Sequence, residues 1–198
     1  MPPTHLLYLH GFRSSPLSTK AQKMALLMRE RYPQVQWWCP QLPPSPDAAM
    51  QLLCDGIEAW QQEPDYDSMA VIGSSLGGFY ATALAELLNC PAALLNPAIN
   101  PARDLVKYVG EQASWQNPAE RFDFKPGYID ELHALHTGPL KNPHNYLAVI
   151  AKGDEVLDWR EMQARYAGAQ IRLIEGSDHA LSDFDDHLPA VLEFLELA

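Results

Sequence analysis

The chain has 198 residues, of which 47% are hydrophobic, and it carries a formal net charge of -11. This length and apolar content predict a single domain, residues 1–198, with one well-buried core. The acidic balance argues against nucleic-acid or anionic-membrane partners, because phosphates would be repelled over most of the surface, and it leaves a small molecule as the expected partner.

The cysteines and the N-terminal residues indicate in which cellular compartment the protein is expected. Cys39, Cys54 and Cys90 are an odd number without C-x-x-C spacing, which fits neither a disulfide framework nor a zinc site. The N-terminus has no basic region, and its apolar run at residues 6–9 is too short for a signal sequence or a membrane span. These features predict a cytoplasmic protein with reduced thiols and no membrane association.

Short apolar runs recur along the chain and predict strands. They occupy residues 6–10, 35–39, 68–72, 91–95, 145–151 and 170–174. Helical spacing predicts helices at residues 18–31, 47–61, 79–88, 159–166 and 181–197, the last of them broken or restarted at Pro189. Strands that alternate with helices predict an α/β fold with a mostly parallel six-stranded sheet and helices on both faces.

One long segment, residues 98–143, shows no strand pattern. It is too long for an ordinary connection, so it must have structure of its own. Its aromatic content predicts a helical lid inserted over a cleft rather than a disordered linker. The aromatic residues are Tyr108, Trp115, Phe122, Phe124 and Tyr128.

A candidate nucleophile follows the third predicted strand. The stretch Gly73-Ser74-Ser75-Leu76-Gly77 is a G-x-S-x-G pattern between a strand and a helix, centred on Ser75. This pattern is typical of a sharp turn that exposes a serine, with Gly73 and Gly77 supplying the clearance. A pattern centred on Ser74 would need a glycine two places upstream, where the sequence has isoleucine, so Ser75 is the prediction.

A serine hydroxyl is a weak nucleophile and needs a base within hydrogen-bond reach. His179 lies on the loop after the last predicted strand, which matches the chain order Ser, Asp, His that accompanies this motif. His5 and His187 lie near the ends of the chain and are expected to be solvated. His133 and His136 have a spacing that suits a metal, but they lack an obvious third ligand, so no metal site is predicted.

The predicted acid is Asp154, just past the fifth strand and at the edge where parallel sheets place their sites. Its role would be to hold the imidazole tautomer and stabilise the imidazolium. Glu155 and Asp158 are close enough in sequence to remain alternatives.

An oxyanion formed during attack on a carbonyl needs two backbone N–H donors. Leu76, directly after the nucleophile, and Phe12, in the loop after the first strand, are the candidates. His10 is interpreted as a residue that orders this loop beside Gly11, because a base at that position would have no neighbouring acid in sequence.

These motifs together resemble the small bacterial YqiA-like esterases of the α/β-hydrolase superfamily. The matching stretches are Leu9-His10-Gly11-Phe12, residues 73–82, residues 153–158 and Gly176-Ser177-Asp178-His179. The resemblance implies the α/β-hydrolase fold, with a trimmed sheet that lacks the first two strands of larger members. It also implies hydrolysis of carboxylic esters or acyl-CoA thioesters by Ser75, Asp154 and His179.

Acyl transfer of this kind requires no metal or redox cofactor. A peptidase or a C–C hydrolase would use the same triad with another pocket, and a non-catalytic binding protein would keep the fold without turnover. The presence of all three candidate triad residues argues against the binding protein, and the resemblance favours an esterase among the enzymes.

Overall fold

A parallel six-stranded sheet forms the centre of the protein, and the computed structural model describes all 198 residues. The strands in chain order are β1 (His5–Leu9), β2 (Gln36–Trp38), β3 (Met69–Ser74), β4 (Ala92–Leu95), β5 (Gly110–Ala113), β6 (Arg121–Phe124), β7 (Tyr146–Ala151) and β8 (Gln170–Ile174). The sheet has the order β2-β1-β3-β4-β7-β8, and all its neighbouring strands are parallel. The predicted six-stranded sheet is therefore confirmed.

Helices cover both faces of this sheet, as predicted. They are α1 (Thr19–Arg31), α2 (Pro46–Gln61), α3 (Leu76–Leu88), α4 (Pro101–Asp104), α5 (Gly127–Ala134), α6 (Trp159–Arg165) and α7 (Phe184–Phe194). Buried side chains of α1 and α7 form one cluster with the sheet, and those of α2, α3 and α6 form the other. None of these helices combines the length and the apolar character needed to cross a lipid bilayer.

The apolar runs become strands because both of their faces are covered. In β1, Leu7 and Leu9 point into the cluster with α2 and α3, while Leu6 and Tyr8 point into the cluster with α1 and α7. All four side chains are fully buried. Full burial of one leucine side chain is worth about 2 kcal/mol, which is why an uninterrupted apolar run suits a central parallel strand.

The strand order reverses beside β1. The chain passes from β1 to β2 on one side of the sheet and then returns to β3 on the other side of β1. Connections that leave in opposite directions open a crevice at the carboxyl ends of the two central strands. The residues that follow β1 and β3 therefore meet at this crevice.

The insertion, residues 98–143, is only partly helical, so the prediction of a helical lid is wrong in this respect. Strands β5 and β6 pair as an antiparallel hairpin within it, followed by α5. The hairpin strands are four residues each, too short for a period-two pattern to stand out. Phe122 and Phe124 alternate in β6 and both pack on Phe12, which holds the hairpin against the body of the protein.

Three smaller expectations are also corrected. Helix α7 continues through Pro189, because buried Phe184 and Val191 anchor it to the sheet on both sides of the proline. His5 and His187 are buried rather than solvated.

Candidate active site

The candidate triad residues lie at one edge of the sheet, on loops that follow different strands. Ser75 follows β3, Asp154 comes three residues after β7, and His179 lies in the loop between β8 and α7. Parallel strands bring all their carboxyl ends to the same edge, so residues far apart in sequence meet there.

Ser75 sits on strained backbone between β3 and α3. Its φ and ψ are 56° and -120°, in a region that residues with a side chain rarely adopt. Such strain costs about 1–3 kcal/mol and persists only where the surroundings enforce it. Here the N–H of Ser75 donates to Leu95 O (3.0 Å), and its carbonyl accepts from the N–H groups of Gly78 and Ala98 (2.9 Å each).

Two glycines allow this turn to form. A Cβ on Gly77 would lie 2.1 Å from the carbonyl oxygen of Leu9, and a Cβ on Gly73 would lie 2.4 Å from that of Gly77. Both distances are far inside van der Waals contact with backbone, which cannot move aside. Helix α3 can therefore begin directly against β1, at Leu76 rather than at Phe79 as the sequence predicted.

A continuous chain of hydrogen bonds joins the three side chains. His179 Nε2 lies 3.0 Å from Ser75 Oγ, and His179 Nδ1 lies 2.8 Å from Asp154 Oδ2. With Asp154 ionised, Nδ1 carries the proton and donates to it, which leaves the Nε2 lone pair to accept from the Ser75 hydroxyl. A serine hydroxyl needs neighbours of this kind, a base and a group that orients the base, in order to act as a nucleophile.

The structure separates the three candidate acids. The Asp154 side chain is fully buried, and its Oδ1 accepts the N–H groups of Val156 and Leu157 at 2.8 Å each. Asp158 is exposed and caps α6 by accepting the N–H of Arg160. Glu155 accepts the main-chain N–H of His179 (2.9 Å) instead of contacting its ring. Only Asp154 contacts the imidazole.

The predicted oxyanion donors flank the nucleophile. Leu76 is the first residue of α3, where N–H groups have no partner within the helix, and Phe12 lies in the turn after β1. A Cβ on Gly11 would lie only 3.6 Å from Ser75 Oγ, so the loop before Phe12 passes directly by the nucleophile.

His10 connects this oxyanion loop, residues 10–13, to the proline-rich loop after β2. Its Nε2 accepts the N–H of Leu42 (3.1 Å), so Nδ1 carries the proton and donates to Gly11 O (3.0 Å). Burial lowers the pKa of His10, which keeps the ring neutral and both bonds intact at pH 7. No carboxylate contacts its ring, in agreement with a role in ordering the loop.

The hairpin of the insertion contacts the oxyanion loop through hydrogen bonds and ring packing. The N–H of Trp115 donates to Arg13 O, and Arg13 Nε donates to Ala113 O, both at 2.7 Å. The Arg13 guanidinium also stacks 4.1 Å from the centre of the Trp115 ring. The Phe12 ring packs against Tyr108 and both phenylalanines of β6. The insertion therefore fixes the position of Phe12.

Sequence reasoning missed Asn96, which follows β4 and is fully buried. Its Nδ2 donates to the carbonyls of Asp178 (2.9 Å) and His179 (3.2 Å). Its Oδ1 accepts the N–H of Ala151 (2.8 Å), three residues before Asp154. The Asn96 side chain thus holds the loop of His179 next to the loop of Asp154 by hydrogen bonds to both. An Asn-Pro pair directly after a buried strand was the only local signal for it.

A cleft of about 560 Å³ opens over the nucleophile, and Ser75 and His179 both line it. Its lining includes two further residues absent from the predicted site, Lys20 and Lys23 of α1. A second cavity of about 330 Å³ is also lined by Phe12.

The histidines considered as metal ligands lie elsewhere. His133 and His136 are exposed and join no cluster of three ligand side chains. The cluster that the structure does form, His5 with Glu63 and Asp65, lies at the start of β1, at the edge of the sheet opposite Ser75. Buried His5 packs there against the rings of Trp60 and Tyr66.

Sheet topology and solved structures together define the class of fold. Alpha/beta hydrolase domain-containing protein 10 from mouse is similar at a TM-score of 0.69 and 13% identity, over 96% of this chain and 88% of that chain. A monoacylglycerol lipase from Paleococcus ferrophilus is similar at a TM-score of 0.68 and 14% identity, over 98% and 95%. The protein has the α/β-hydrolase fold, and its structural neighbours include esterases and lipases.

Residues 5–196 match the model of the uncharacterised protein family UPF0227, and the chain belongs to that family. A UPF0227 protein from Shewanella sediminis (strain HAW-EB3) is 25% identical over 188 residues, which are 94% of this chain and 96% of that protein. The resemblance drawn from the sequence motifs is confirmed at the level of family and fold.

Proposed function

We propose that the protein is a serine esterase that hydrolyses carboxylic esters through an acyl-enzyme on Ser75, with acyl thioesters as a second substrate class. The observation that carries the proposal is the chain of hydrogen bonds from Ser75 through His179 to Asp154, at 3.0 Å and 2.8 Å. The cleft above it gives a small acyl substrate access to the Ser75 hydroxyl.

In the acylation step, His179 Nε2 takes the Ser75 proton while Oγ bonds to the carbonyl carbon of the substrate. The carbonyl oxygen becomes an oxyanion, for which the N–H groups of Phe12 and Leu76 are the proposed donors. The bond to the leaving group then breaks, and the imidazolium returns its proton to the departing oxygen or sulfur. Asp154 stabilises the charged imidazolium throughout.

Deacylation repeats these steps with water as the nucleophile. His179 takes a proton from water, the hydroxide oxygen bonds to the acyl carbon, and the bond to Ser75 Oγ breaks as Oγ regains its proton. The products are the free acid and the original enzyme. No step uses a metal or an organic cofactor.

Covalent labelling and a substrate panel test the proposal. A fluorophosphonate is expected to phosphonylate Ser75 with loss of fluoride, and mass spectrometry of the tryptic peptide identifies the labelled serine. The panel compares p-nitrophenyl butyrate, the S-butyryl thioester of N-acetylcysteamine and a peptide p-nitroanilide, with turnover expected for the ester and the thioester. Turnover of the peptide alone would show that the protein is a peptidase rather than an esterase. Absence of both labelling and turnover would favour a binding protein.

Replacing Asn96 by glycine is expected to lower kcat for p-nitrophenyl butyrate about 10- to 100-fold, because misplacing a catalytic group by about 1 Å has effects of this size. Glycine accepts the φ of 43° at this position, so the variant removes the three hydrogen bonds without adding backbone strain. KM is expected to change much less than kcat.

Asn89→Gly is the matched control, because Asn89 also has a positive φ (53°) and an amide bonded to another side chain, Asn145. It ends α3 far from the triad. Melting curves of both variants separate lost stability from lost turnover. Equal kcat in the two glycine variants would rule out a positioning role for Asn96.

A further inference from the structure

The oxyanion loop divides the space around the nucleophile into two cavities. The cleft of about 560 Å³ contains Ser75 and His179, whereas the cavity of about 330 Å³ contains Leu76 and neither of them. Both cavities are lined by His10, Gly11 and Phe12 of this loop and by Ser14 directly after it, so the loop forms the partition between them. A substrate carbonyl held at the partition has one substituent on each side.

The proton transfer to the leaving group determines which cavity holds the leaving group and which holds the acyl chain. The leaving oxygen or sulfur receives its proton from His179 Nε2, so the leaving group must lie on the His179 side of the carbonyl. That side is the larger cleft. The acyl chain then extends past Leu76 into the smaller cavity, whose apolar wall includes Leu42, Tyr80 and Phe122.

The cleft on the leaving-group side is lined by two cations in a protein whose net charge is -11. The Lys20 ammonium donates to the carbonyl oxygen of Ala180 and so keeps donors free for a second acceptor. Burial lowers the pKa of Lys20 to about 8, with Asp178 opposing the shift, so most of the group is charged at pH 7. Lys23 extends the positive surface but is paired with Asp185, which makes Lys20 the stronger candidate.

Carboxylates reduce this positive surface, since Asp185 pairs with Lys23 and Asp178 acts on Lys20, but neither aspartate lines the cleft. Glu155 is the one carboxylate that lines the cleft, and it accepts the main-chain N–H of His179. The smaller cavity is lined by Glu120 and by two arginines that are already engaged. Arg121 pairs with Glu111 (2.6 Å), and Arg13 stacks on Trp115. An anionic group is therefore better accommodated on the leaving-group side.

We infer that the substrate is an ester or thioester whose leaving group bears an anionic substituent, such as a carboxylate or a phosphate, bound at Lys20 with support from Lys23. The acyl group occupies the smaller cavity. This inference rests on the proposed esterase function and adds the orientation and charge of its substrate.

Three short-chain esters test the inference with the 198-residue protein at pH 7. The probes are neutral p-nitrophenyl butyrate, 4-butyryloxy-3-nitrobenzoate with a carboxylate on its leaving group, and mono(4-nitrophenyl) glutarate with a carboxylate on its acyl end. For each variant, kcat/KM of each anionic ester is divided by that of the neutral ester. This ratio cancels any general loss of activity that follows from the contact between Lys20 and Ala180.

Lys20→Met is expected to lower the ratio for 4-butyryloxy-3-nitrobenzoate about tenfold, the equivalent of about 1.4 kcal/mol, mainly through a higher KM. Lys23→Met is expected to lower it about threefold, because Asp185 already offsets that charge. Lys125→Met is the control, since Lys125 is exposed and lines neither cavity. The glutarate ratio is expected to be the same in all these variants.

An unchanged ratio for 4-butyryloxy-3-nitrobenzoate in both Lys20→Met and Lys23→Met would overturn the inference while leaving the esterase function intact. A fall in the glutarate ratio instead would reverse the assignment of the two cavities. If the wild-type protein hydrolyses none of the three esters, the proposed function itself fails, and this outcome is distinct from the other two.

Discussion

Replacing Ser75 by alanine is expected to lower kcat for p-nitrophenyl butyrate by about 10⁶-fold, the size of effect found when a serine protease loses its nucleophile. The acyl-enzyme cannot form without Oγ, and no other hydroxyl is hydrogen-bonded to His179 Nε2. What remains is the small rate supplied by substrate binding and the oxyanion donors. This residual rate is measured from the progress curve at high enzyme concentration, which is expected to show no initial burst of p-nitrophenol.

Ser74→Ala is the matched control for this variant, because Ser74 is the adjacent serine and the rival in the sequence motif. Ser74 is the last residue of β3 and is buried, and its hydroxyl is not bonded to the imidazole. It is expected to keep at least about a tenth of the wild-type kcat, since removal of one buried hydroxyl costs about 1 kcal/mol. Activity of Ser75→Ala equal to that of Ser74→Ala would disprove the assignment of the nucleophile.

Replacing Asp154 by asparagine is expected to lower kcat by about 10⁴-fold, by analogy with the same change in a serine protease. The amide oxygen of asparagine would have to face the N–H groups of Val156 and Leu157, because these can only donate. Its NH₂ would then face His179 Nδ1 and force the imidazole into the tautomer with the proton on Nε2. In that tautomer Nε2 cannot accept the Ser75 proton.

Asp158→Asn serves as the comparison, because Asp158 was the other aspartate that the sequence allowed. It caps α6 and is half-exposed, so its replacement is expected to cost at most about 1 kcal/mol of stability and less than threefold in kcat. The pH dependence of kcat in Asp154→Asn is expected to change as well, since the tautomer of His179 changes. A larger fall in kcat for Asp158→Asn than for Asp154→Asn would show that Asp158, and not Asp154, is the acid.

The central sheet was predictable because its strands are buried on both faces. Residues in β1, β3 and β7 are apolar almost without interruption, and they lie under helices on either side. The sharp turn at Ser75 was predictable from the spacing of its two glycines. Gly73 is required by a contact with nearby Gly77, whereas Gly77 is required by a contact with Leu9 of β1 that the sequence does not show.

The carboxylate that contacts His179 was harder to predict because carboxylates at 154, 155 and 158 lie within five residues of one another. The loop after β7 decides among them. It turns so that the N–H groups of Val156 and Leu157 bind Asp154, which buries this carboxylate beside the imidazole and leaves Asp158 to cap a helix. No propensity scale encodes that turn.

Asn96 and Lys20 were missed because their roles depend on contacts between distant parts of the chain. The bonds from Asn96 to the His179 loop span 82 and 83 residues, and the bond from Lys20 to Ala180 spans 160. The hairpin was missed because its strands pair only with each other and are four residues long. Its position depends on the Phe12 ring, more than 100 residues earlier, as packing partner.

The contact between Arg13 and Trp115 joins the insertion to the loop beside Ser75. The hairpin and the loop that carries Phe12 share two hydrogen bonds, one between main-chain groups and one from the Arg13 side chain. Sequence drift that loosens the hairpin therefore also displaces a proposed catalytic amide. A change in the hairpin that reshapes the cleft beside Trp115 is therefore expected to alter kcat as well as substrate preference.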